Sequence, residues 1–414
     1  MTRDSSISFQ TLPNGLHVVH EAMPWLPSAS FTFLFPFGAA ADPKTYEGSA
    51  TVLYDWLYRG TQSLDSRAFS DELDRLGLRR GGGSGKEYCT FSGSLLKSSF
   101  KDALALYKDM FISPRLSDEE FLSAQNLALQ ELASLADNPT QQLFETLSLR
   151  YFASSHGNSS YGTEEGLLNL SAELLRQSYA QRLSPKGAIF SVAGGLSWDE
   201  VSETVNTLFG DWQGPEPALP KVSINKGEQE HILENSMQTQ IGVAYESVAP
   251  NQEGWYENAV ALSVLSGGMG ARLFSEVREK RGLVYSVVAV SRSLKDFGYT
   301  LAYAGTTPER ANETLDVLLA ELGKIAQGIS QEELERARTG LLSQLVMQGE
   351  SSGARAASLA RDIFLLGKPR NMDDIKADLL ALELSKVNDF LAHQKKPEFS
   401  ILSLGPKRLD EVLV

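Results

Sequence analysis

The sequence predicts an α+β protein of two homologous domains, each a mostly antiparallel β-sheet with helices packed on one face. Three observations lead to this prediction: the length of 414 residues, an internal repetition, and a proline-rich stretch between the repeated halves. A single hydrophobic core stops growing at roughly 250–300 residues, so a chain of this length is expected to divide into domains.

The repetition consists of two pairs of similar segments, each separated by about 210 residues. In the first pair, SASFTFLFPFGAAAD (28–42) and QTQIGVAYESVAP (238–250) are alternating runs that lead through a Tyr-Glu dipeptide into a helical pattern. In the second pair, residues 173–201 and 383–412 each give an amphipathic helix, a polar turn and an apolar strand that ends in glycine. Two matches at nearly the same offset indicate a duplication.

Period-two strands and longer helical patterns alternate in both halves. Strands are expected at 14–20, 28–36, 87–95, 187–193, 239–246, 284–291, 298–305 and 397–404, and helices at 99–111, 117–136, 308–327 and 331–347. Between the halves, the closely spaced Pro215, Pro217 and Pro220 favour extended backbone. We therefore predict an N-terminal domain over 1–212, a linker over 213–230 and a C-terminal domain over 231–414.

Composition argues against several classes of partner. The net charge of −14 argues against nucleic acid as the main ligand. The sequence shows neither the apolar core of a signal peptide nor a stretch of 18 apolar residues. We therefore expect no signal peptide and no membrane span. The single cysteine, Cys89, excludes an intramolecular disulfide and a thiolate zinc cluster. We expect a reducing compartment and a cytoplasmic location.

The densest motif is LSGGMGARLFSEVREKRGLVYSV, residues 265–287. Its glycines predict a flexible turn before an amphipathic helix: Gly267, Gly268 and Gly270. Arg278 and Tyr285 lie seven residues apart, across the end of that helix and into a strand. A guanidinium and a phenol brought together in this way can both donate to one carbonyl oxygen. Alternatively, Arg278 forms an ordinary salt bridge and Tyr285 fills a sheet face.

This segment resembles the C-terminal domain of the pitrilysin and mitochondrial-processing-peptidase family of zinc peptidases. There, a glycine-rich turn precedes RLF-x-x-V-R-E-K-R-G-L-x-Y-S-V, and the resemblance extends over essentially the whole chain. It implies a clamshell of two homologous domains and a substrate-binding role for the glycine turn. It also implies that Arg278 and Tyr285 hold the substrate carbonyl near the scissile bond.

The family binds zinc through H-x-x-E-H on a helix of the first domain and through a glutamate about 76 residues further on. The surrounding pattern, G-L-A-H-F-L-E-H-M-L-F-K-G-T, aligns without a gap with GSATVLYDWLYRGT, residues 48–61. The resemblance places Thr51 and Asp55 at the two histidine positions and Tyr54 at the position of the water-activating glutamate. Glu131 matches the third ligand, although it could equally be a solvated helix carboxylate.

These substitutions predict that this chain holds no zinc and no other cofactor. Asp55 and Glu131, with the hydroxyls of Thr51 and Tyr54, would suit Mg²⁺ or Ca²⁺ better than zinc. No other zinc site is visible, because the histidines are isolated or face opposite sides of a strand: His17, His20, His156, His231 and His393.

A second departure from the family lies in RRGGGSGKEYCTFSG, residues 79–93. Active relatives have here an edge strand, G-G-x-x-N-A-x-T-x-x-E, that pairs with the extended substrate. Glycine weakens a strand because it removes side chains and adds conformational entropy to the unfolded chain. The segment is expected to be either a flexible loop or a modified peptide-binding edge.

The leading hypothesis is a zinc-free subunit of a two-chain metallopeptidase, inactive alone. It would bind extended peptide and add the Arg278/Tyr285 carbonyl clamp to a homologous, zinc-bearing partner, with a homodimer as another possible state. An alternative is a non-enzymatic peptide-binding or scaffold protein, in which Arg278 and Tyr285 are dispensable. An independent peptidase with unconventional ligands is disfavoured, because the general base and both imidazoles are absent together.

Overall fold

The computed structural model describes residues 6–411, so the outermost residues of both predicted domains, 1–5 and 412–414, lie outside the described part. The chain divides into two compact units, each built from three segments. Unit 1 contains the chain up to Ser134, Asn158–Lys221 and Gln348–Asn371. Unit 2 contains Leu135–Gly157, Val222–Met347 and the chain from Met372 onward.

The elements are numbered in chain order. The strands are β1 (Ser6–Thr11), β2 (His17–Ala22), β3 (Ser28–Phe35), β4 (Arg79–Ser84), β5 (Cys89–Leu96), β6 (Ile189–Gly194), β7 (Gln229–Leu233), β8 (Thr239–Ser247), β9 (Val284–Leu294), β10 (Phe297–Thr306) and β11 (Ser400–Gly405). The helices are α1 (Ser49–Leu57), α2 (Ser66–Arg75), α3 (Phe100–Ile112), α4 (Asp118–Ser134), α5 (Pro139–Tyr151), α6 (Glu164–Asn169), α7 (Ala172–Arg182), α8 (Trp198–Phe209), α9 (Trp255–Ser266), α10 (Ala311–Lys324), α11 (Gln331–Gly349), α12 (Ser352–Leu366), α13 (Met372–Leu380) and α14 (Leu384–His393).

The two sheets have matching strand orders. The sheet of unit 1 runs β1-β2-β6-β3-β5-β4, and the sheet of unit 2 runs β7-β11-β8-β10-β9. In each sheet a single pair is parallel, β2 with β6 and β7 with β11, and the other pairs are antiparallel. Apart from β1, the second order repeats the first strand for strand. The predicted α+β class, with two homologous and mostly antiparallel sheets, is confirmed.

Strand β3 shows how the alternating pattern places the core of unit 1. Phe31, Phe33 and Phe35 are at most 1% exposed, and they pack against rings of α3 at centroid distances near 5 Å, such as 4.9 Å from Phe31 to Tyr107. Residues on the opposite face of the strand, Ser30, Thr32 and Leu34, point away from this aromatic core because successive side chains alternate. A second layer therefore has to cover the other face.

That second layer comes from the other half of the sequence. Helix α12 packs on β2, β3 and β6, where Leu359, Ala360 and Ile363 join Val19 and Leu34 in one apolar cluster. In unit 2, helix α5 packs in the same way on β8 and β11. Each sheet is therefore covered on one face by a helix from the opposite half of the chain, an exchange that the sequence patterns did not predict.

A buried ion pair attaches α12 to the sheet. The Nε of Arg355 donates to Oε2 of Glu21 on β2 at 2.6 Å, and these residues are 0% and 2% exposed. A charge taken out of water in this way is tolerated only when it is paired.

We predict that Arg355→Met lowers the free energy of unfolding of unit 1 by about 3–5 kcal/mol, because it leaves the Glu21 carboxylate buried and unpaired. Urea unfolding followed by tryptophan fluorescence suits this measurement, since Trp25, Trp56, Trp198 and Trp212 all lie in unit 1. The double variant Arg355→Met/Glu21→Met should recover most of the loss. As a control, Arg75→Met removes an exposed pair with Glu72 and should leave the midpoint unchanged. Equal midpoints for Arg355→Met and Arg75→Met would show that the buried pair does not hold α12.

Candidate functional site

Helix α1 is fixed at its N-terminal end by one buried carboxylate. Asp42 accepts hydrogen bonds from the backbone N–H of Gly48 (3.0 Å) and of Ala50 (3.1 Å), and from the Ser49 hydroxyl (2.6 Å). The Nη1 of Arg182 also donates to this carboxylate, at 3.0 Å. Burial raises the pKa of Asp42, while Arg182 and the N–H donors oppose that rise.

The buried face of α1 follows the expected helical spacing. Val52, Leu53, Trp56 and Leu57 are at most 1% exposed and belong to the core of unit 1. Thr51, Tyr54 and Asp55 are only partly buried. The helix therefore packs as the sequence predicts, and the side chains of the three substituted positions lie on a different face from the buried one.

That side opens on a cavity of about 280 Å³. The cavity is lined by Thr51, Tyr54 and Asp55 from α1, by Glu131 from α4, and by backbone at the end of β4. The structure therefore brings together the four positions that the sequence places at a degenerate metal site. It does so within unit 1.

The groups in this cavity are engaged in ways that do not suit zinc. The Thr51 hydroxyl donates to the backbone oxygen of Ser160 at 2.6 Å. Tyr54 packs against the rings of Phe91 and Tyr58, with centroids at 5.0 and 5.4 Å. Burial raises the pKa of Tyr54 to about 12, so its phenol keeps its proton near neutral pH and is unsuited to the role of a general base.

Asp55 is paired with a residue that the sequence analysis did not single out. The Nε of Arg59 donates to Oδ2 of Asp55 at 2.6 Å, and its Nη1 contacts Glu120 at 3.2 Å. Acid and base four residues apart lie on the same helix face, so the spacing could have revealed this pair. With Arg59 beside it, Asp55 is a poor ligand for any cation.

Glu131 is the remaining carboxylate of the cavity. Its side chain is exposed and makes no ion pair within residues 6–411. Partial burial, and then the negative charge of Asp55, raise the pKa of Glu131. No imidazole lines the cavity, and across residues 6–411 no group of three or more His, Cys, Asp or Glu side chains could hold a metal ion. The residues present therefore do not fit zinc.

The glycine-rich segment is an edge strand and not a flexible loop. Strand β4 pairs in register with β5, and no other strand of residues 6–411 lies on its other side, so its outer N–H and C=O groups are available to a strand from another molecule. Gly82 has φ of +117°, and a Cβ there would lie 2.0 Å from the backbone oxygen of Thr90. Only glycine fits that position.

Unit 2 carries Arg278 and Tyr285. Residues Phe274–Glu279 form one π-helical turn, with Lys280 N–H bonded to the Ser275 oxygen at 2.9 Å, in place of the regular helix that the pattern predicts. The turn places the Arg278 guanidinium over two rings, 4.9 Å from the centroid of Phe274 and 5.0 Å from that of Tyr285. Arg278 forms no salt bridge within the described residues, and Tyr285 is 81% exposed on the edge strand β9. The alternative of an ordinary salt bridge and a sheet-filling tyrosine does not hold.

The predicted glycine turn joins α9 to this π-helical turn. Gly267 ends α9, and Gly268 has φ of +144°, which favours glycine. Gly270 lies beside the side chain of Arg336. Their part in substrate binding stays a prediction.

Two family models match the chain. The model described as Insulinase (Peptidase family M16) matches residues 17–164, and the model described as Peptidase M16 inactive domain matches residues 169–341. The chain belongs to peptidase family M16, the pitrilysin family. It is a zinc-site-deficient member, since its α1 lacks the histidines and glutamate of the metal motif, and the resemblance predicted from the sequence is confirmed.

Relatives that match nearly the whole chain carry the name uncharacterized zinc protease. The Bacillus subtilis protein named uncharacterized zinc protease YmxG is 26% identical, over 96% of this chain and 97% of its own. The corresponding protein Rv2782c of Mycobacterium tuberculosis is 27% identical, over 96% and 92%.

Solved M16-type structures share the fold. A peptidase M16 inactive domain from Pseudomonas fluorescens superposes with a TM-score of 0.88 at 21% identity, covering 98% of this chain and 99% of its own. A protease from Helicobacter pylori gives 0.86 at 19% identity, covering 97% and 100%. In the described part of this M16 chain, no helix has the length and apolar character needed to cross a bilayer.

We predict that Gly82→Ala disrupts the β4 edge and that Gly83→Ala does not. Alanine at position 82 would have to adopt a strained φ and would meet the Thr90 carbonyl, whereas a Cβ at Gly83 meets open space. Hydrogen exchange provides the measurement: amides of β4 and β5 should lose protection in Gly82→Ala, by about tenfold or more, and keep it in Gly83→Ala. Equal protection in both variants would mean that the edge does not depend on this glycine.

Proposed function

We propose that this M16 chain is the zinc-free subunit of a two-chain metallopeptidase. It binds extended peptide and contributes Arg278 and Tyr285 as a clamp on the substrate carbonyl, while a homologous partner supplies zinc. The observation that carries the proposal is the state of Arg278: its guanidinium contacts two aromatic rings and makes no ion pair within residues 6–411.

The stacking of Arg278 orients its hydrogen-bond donors. Contacts with two rings restrict the motion of the guanidinium plane, so less rotamer freedom is lost when a ligand binds. The N–H groups lie at the edge of that plane and stay free for an acceptor. The neighbouring Tyr285 is largely exposed and offers a second donor. Two such donors suit a carbonyl oxygen whose negative charge increases during the reaction.

Donors of this kind accelerate a reaction when they bind the transition state more strongly than the substrate. The α1 cavity of this chain lacks a zinc site of its own, because no imidazole lines it, Tyr54 keeps its proton and Asp55 is paired with Arg59. This division of groups favours a split enzyme over an independent peptidase.

The free edge of β4 supports peptide binding. An extended peptide can add to an exposed strand through backbone hydrogen bonds, largely independent of its sequence. Glycines at 81, 82 and 83 leave that edge without bulky side chains, and the edge borders the α1 cavity. The substrate class that fits is an unfolded or extended peptide.

We expect Arg278→Ala to lower kcat/KM of the reconstituted pair by about 10²–10³-fold, mainly through kcat, since an oxyanion donor is lost. Arg278→Lys should recover only part of the activity, because an ammonium lacks the planar fork. Tyr285→Phe should reduce kcat with little change in KM. The assay uses a fluorogenic peptide and a zinc-bearing M16 homologue from the same genome.

The matched control is Arg292→Ala, which removes an exposed arginine from the same strand as Tyr285. It should leave kcat/KM of the pair unchanged. Full activity of the pair with both Arg278→Ala and Tyr285→Phe would contradict the clamp and would favour the scaffold function.

A further inference from the structure

A second cavity of unit 1 lies on the opposite face of the sheet from α1. It has a volume of about 300 Å³ and lies between α12 and the strands β3 and β5. The side chains that reach it from the sheet alternate along both strands, with Thr32 paired opposite Ser92 and Leu34 opposite Thr90. None of these residues takes part in the proposed clamp or in the degenerate metal site.

Small residues on α12 create the space. One stripe of the helix packs tightly on the sheet through Ala356, Leu359 and Ile363. The neighbouring stripe faces the cavity with Ala354, Ala357 and Ser358. Because these side chains are short, the helix leaves a gap over β3 and β5 instead of filling it.

Polar side chains in this gap lack partners in the protein. Thr32 and Ser358 are 3% and 5% exposed and line the cavity, yet neither hydroxyl makes a hydrogen bond within residues 6–411. The adjacent pair on the same sheet face differs: Ser30 bonds to Ser94 at 2.8 Å and to Ser352 at 2.9 Å. Because both hydroxyls border the cavity and have no partner among residues 6–411, they are available to a ligand there.

The charge of the lining is positive. Arg361 reaches the cavity from α12 and makes no ion pair with any described residue, and no carboxylate lines the cavity. Its neighbour Asp362 is already paired with Arg370 at 2.7 Å. In a chain with a net charge of −14, an unpaired arginine beside free hydroxyls is a site for an anion with several acceptor oxygens.

We propose that this cavity binds the free carboxylate at the C-terminal end of a short peptide. Arg361 pairs with the carboxylate, and the hydroxyls of Thr32, Ser92 and Ser358 donate hydrogen bonds to its oxygens. Leu34 and the alanines of α12 contact the apolar side chain of the last residue. A volume of about 300 Å³ is at the small end of ligand pockets and fits one or two residues. The site does not depend on the clamp or on a partner subunit.

The test is a binding titration of the whole chain, without any partner, by saturation-transfer NMR. The probes are N-acetyl-Ala-Leu with a free carboxylate, the same dipeptide as its C-terminal amide, and inorganic phosphate. The acid should bind at least about tenfold more tightly than the amide, the factor expected for loss of a charge-assisted hydrogen bond. Arg361→Gln should weaken binding of the acid by a similar factor. Thr32→Val removes the hydroxyl without changing the volume of the side chain, and it should weaken binding of the acid severalfold.

Lys368→Gln is the control, because it removes one positive charge from an exposed position of the same unit outside the cavity. It should leave binding of the acid unchanged. Equal affinity for acid and amide, or binding of the acid that ignores Arg361→Gln, would overturn the proposal. So would binding of phosphate alone, since that would assign the site to a free anion and not to a peptide end.

Discussion

A charge removed from water must be paired, and this constraint fixes the two helices of unit 1 that border its cavities, α1 and α12. Asp42, beneath the N-terminal end of α1, is satisfied by Arg182 and by the first N–H groups around the helix. Glu21, inside the sheet, is satisfied by Arg355 of the exchanged helix. The Asp42–Arg182 pair positions α1, which lines the first cavity. The Glu21–Arg355 pair attaches α12, which lines the second cavity. Each pair joins segments that are far apart in sequence.

Two of the arginines without an ion pair lie where the chain is proposed to bind another molecule. Arg278 in unit 2 and Arg361 in unit 1 have no carboxylate partner within the described residues, although the chain has an excess of acid. Arg278 is held by aromatic rings, and Arg361 lies beside free hydroxyls. Both are suited to acceptors that come from another molecule. The α1 cavity differs, because its acidic residue Asp55 is already paired with Arg59. Tyr54 stands there at the position that the family resemblance assigns to the general base.

Local patterns were sufficient to predict the α+β class and the duplication, because each follows from a period or a repeated segment. The grouping of Thr51, Tyr54, Asp55 and Glu131 was implied by the family resemblance, and the structure brings these residues to one cavity. The exchange of α5 and α12 could not be predicted, since an amphipathic helix does not specify which of two similar sheets covers its apolar face. The sequence left open whether the segment of β4 is a loop or a strand, because glycine has low strand propensity. Its pairing with β5 makes it a strand. The π-helical turn at Arg278 also escaped prediction, because the same residues fit an ordinary helix.

The most direct test of the split-enzyme account is a mixing experiment with purified subunits and one fluorogenic peptide. This chain alone and its zinc-bearing M16 homologue alone should each show little hydrolysis, and their mixture should show activity that rises to a maximum at equal molar amounts and is lost on chelation of zinc. Hydrolysis by this chain alone that a chelator abolishes would contradict the account.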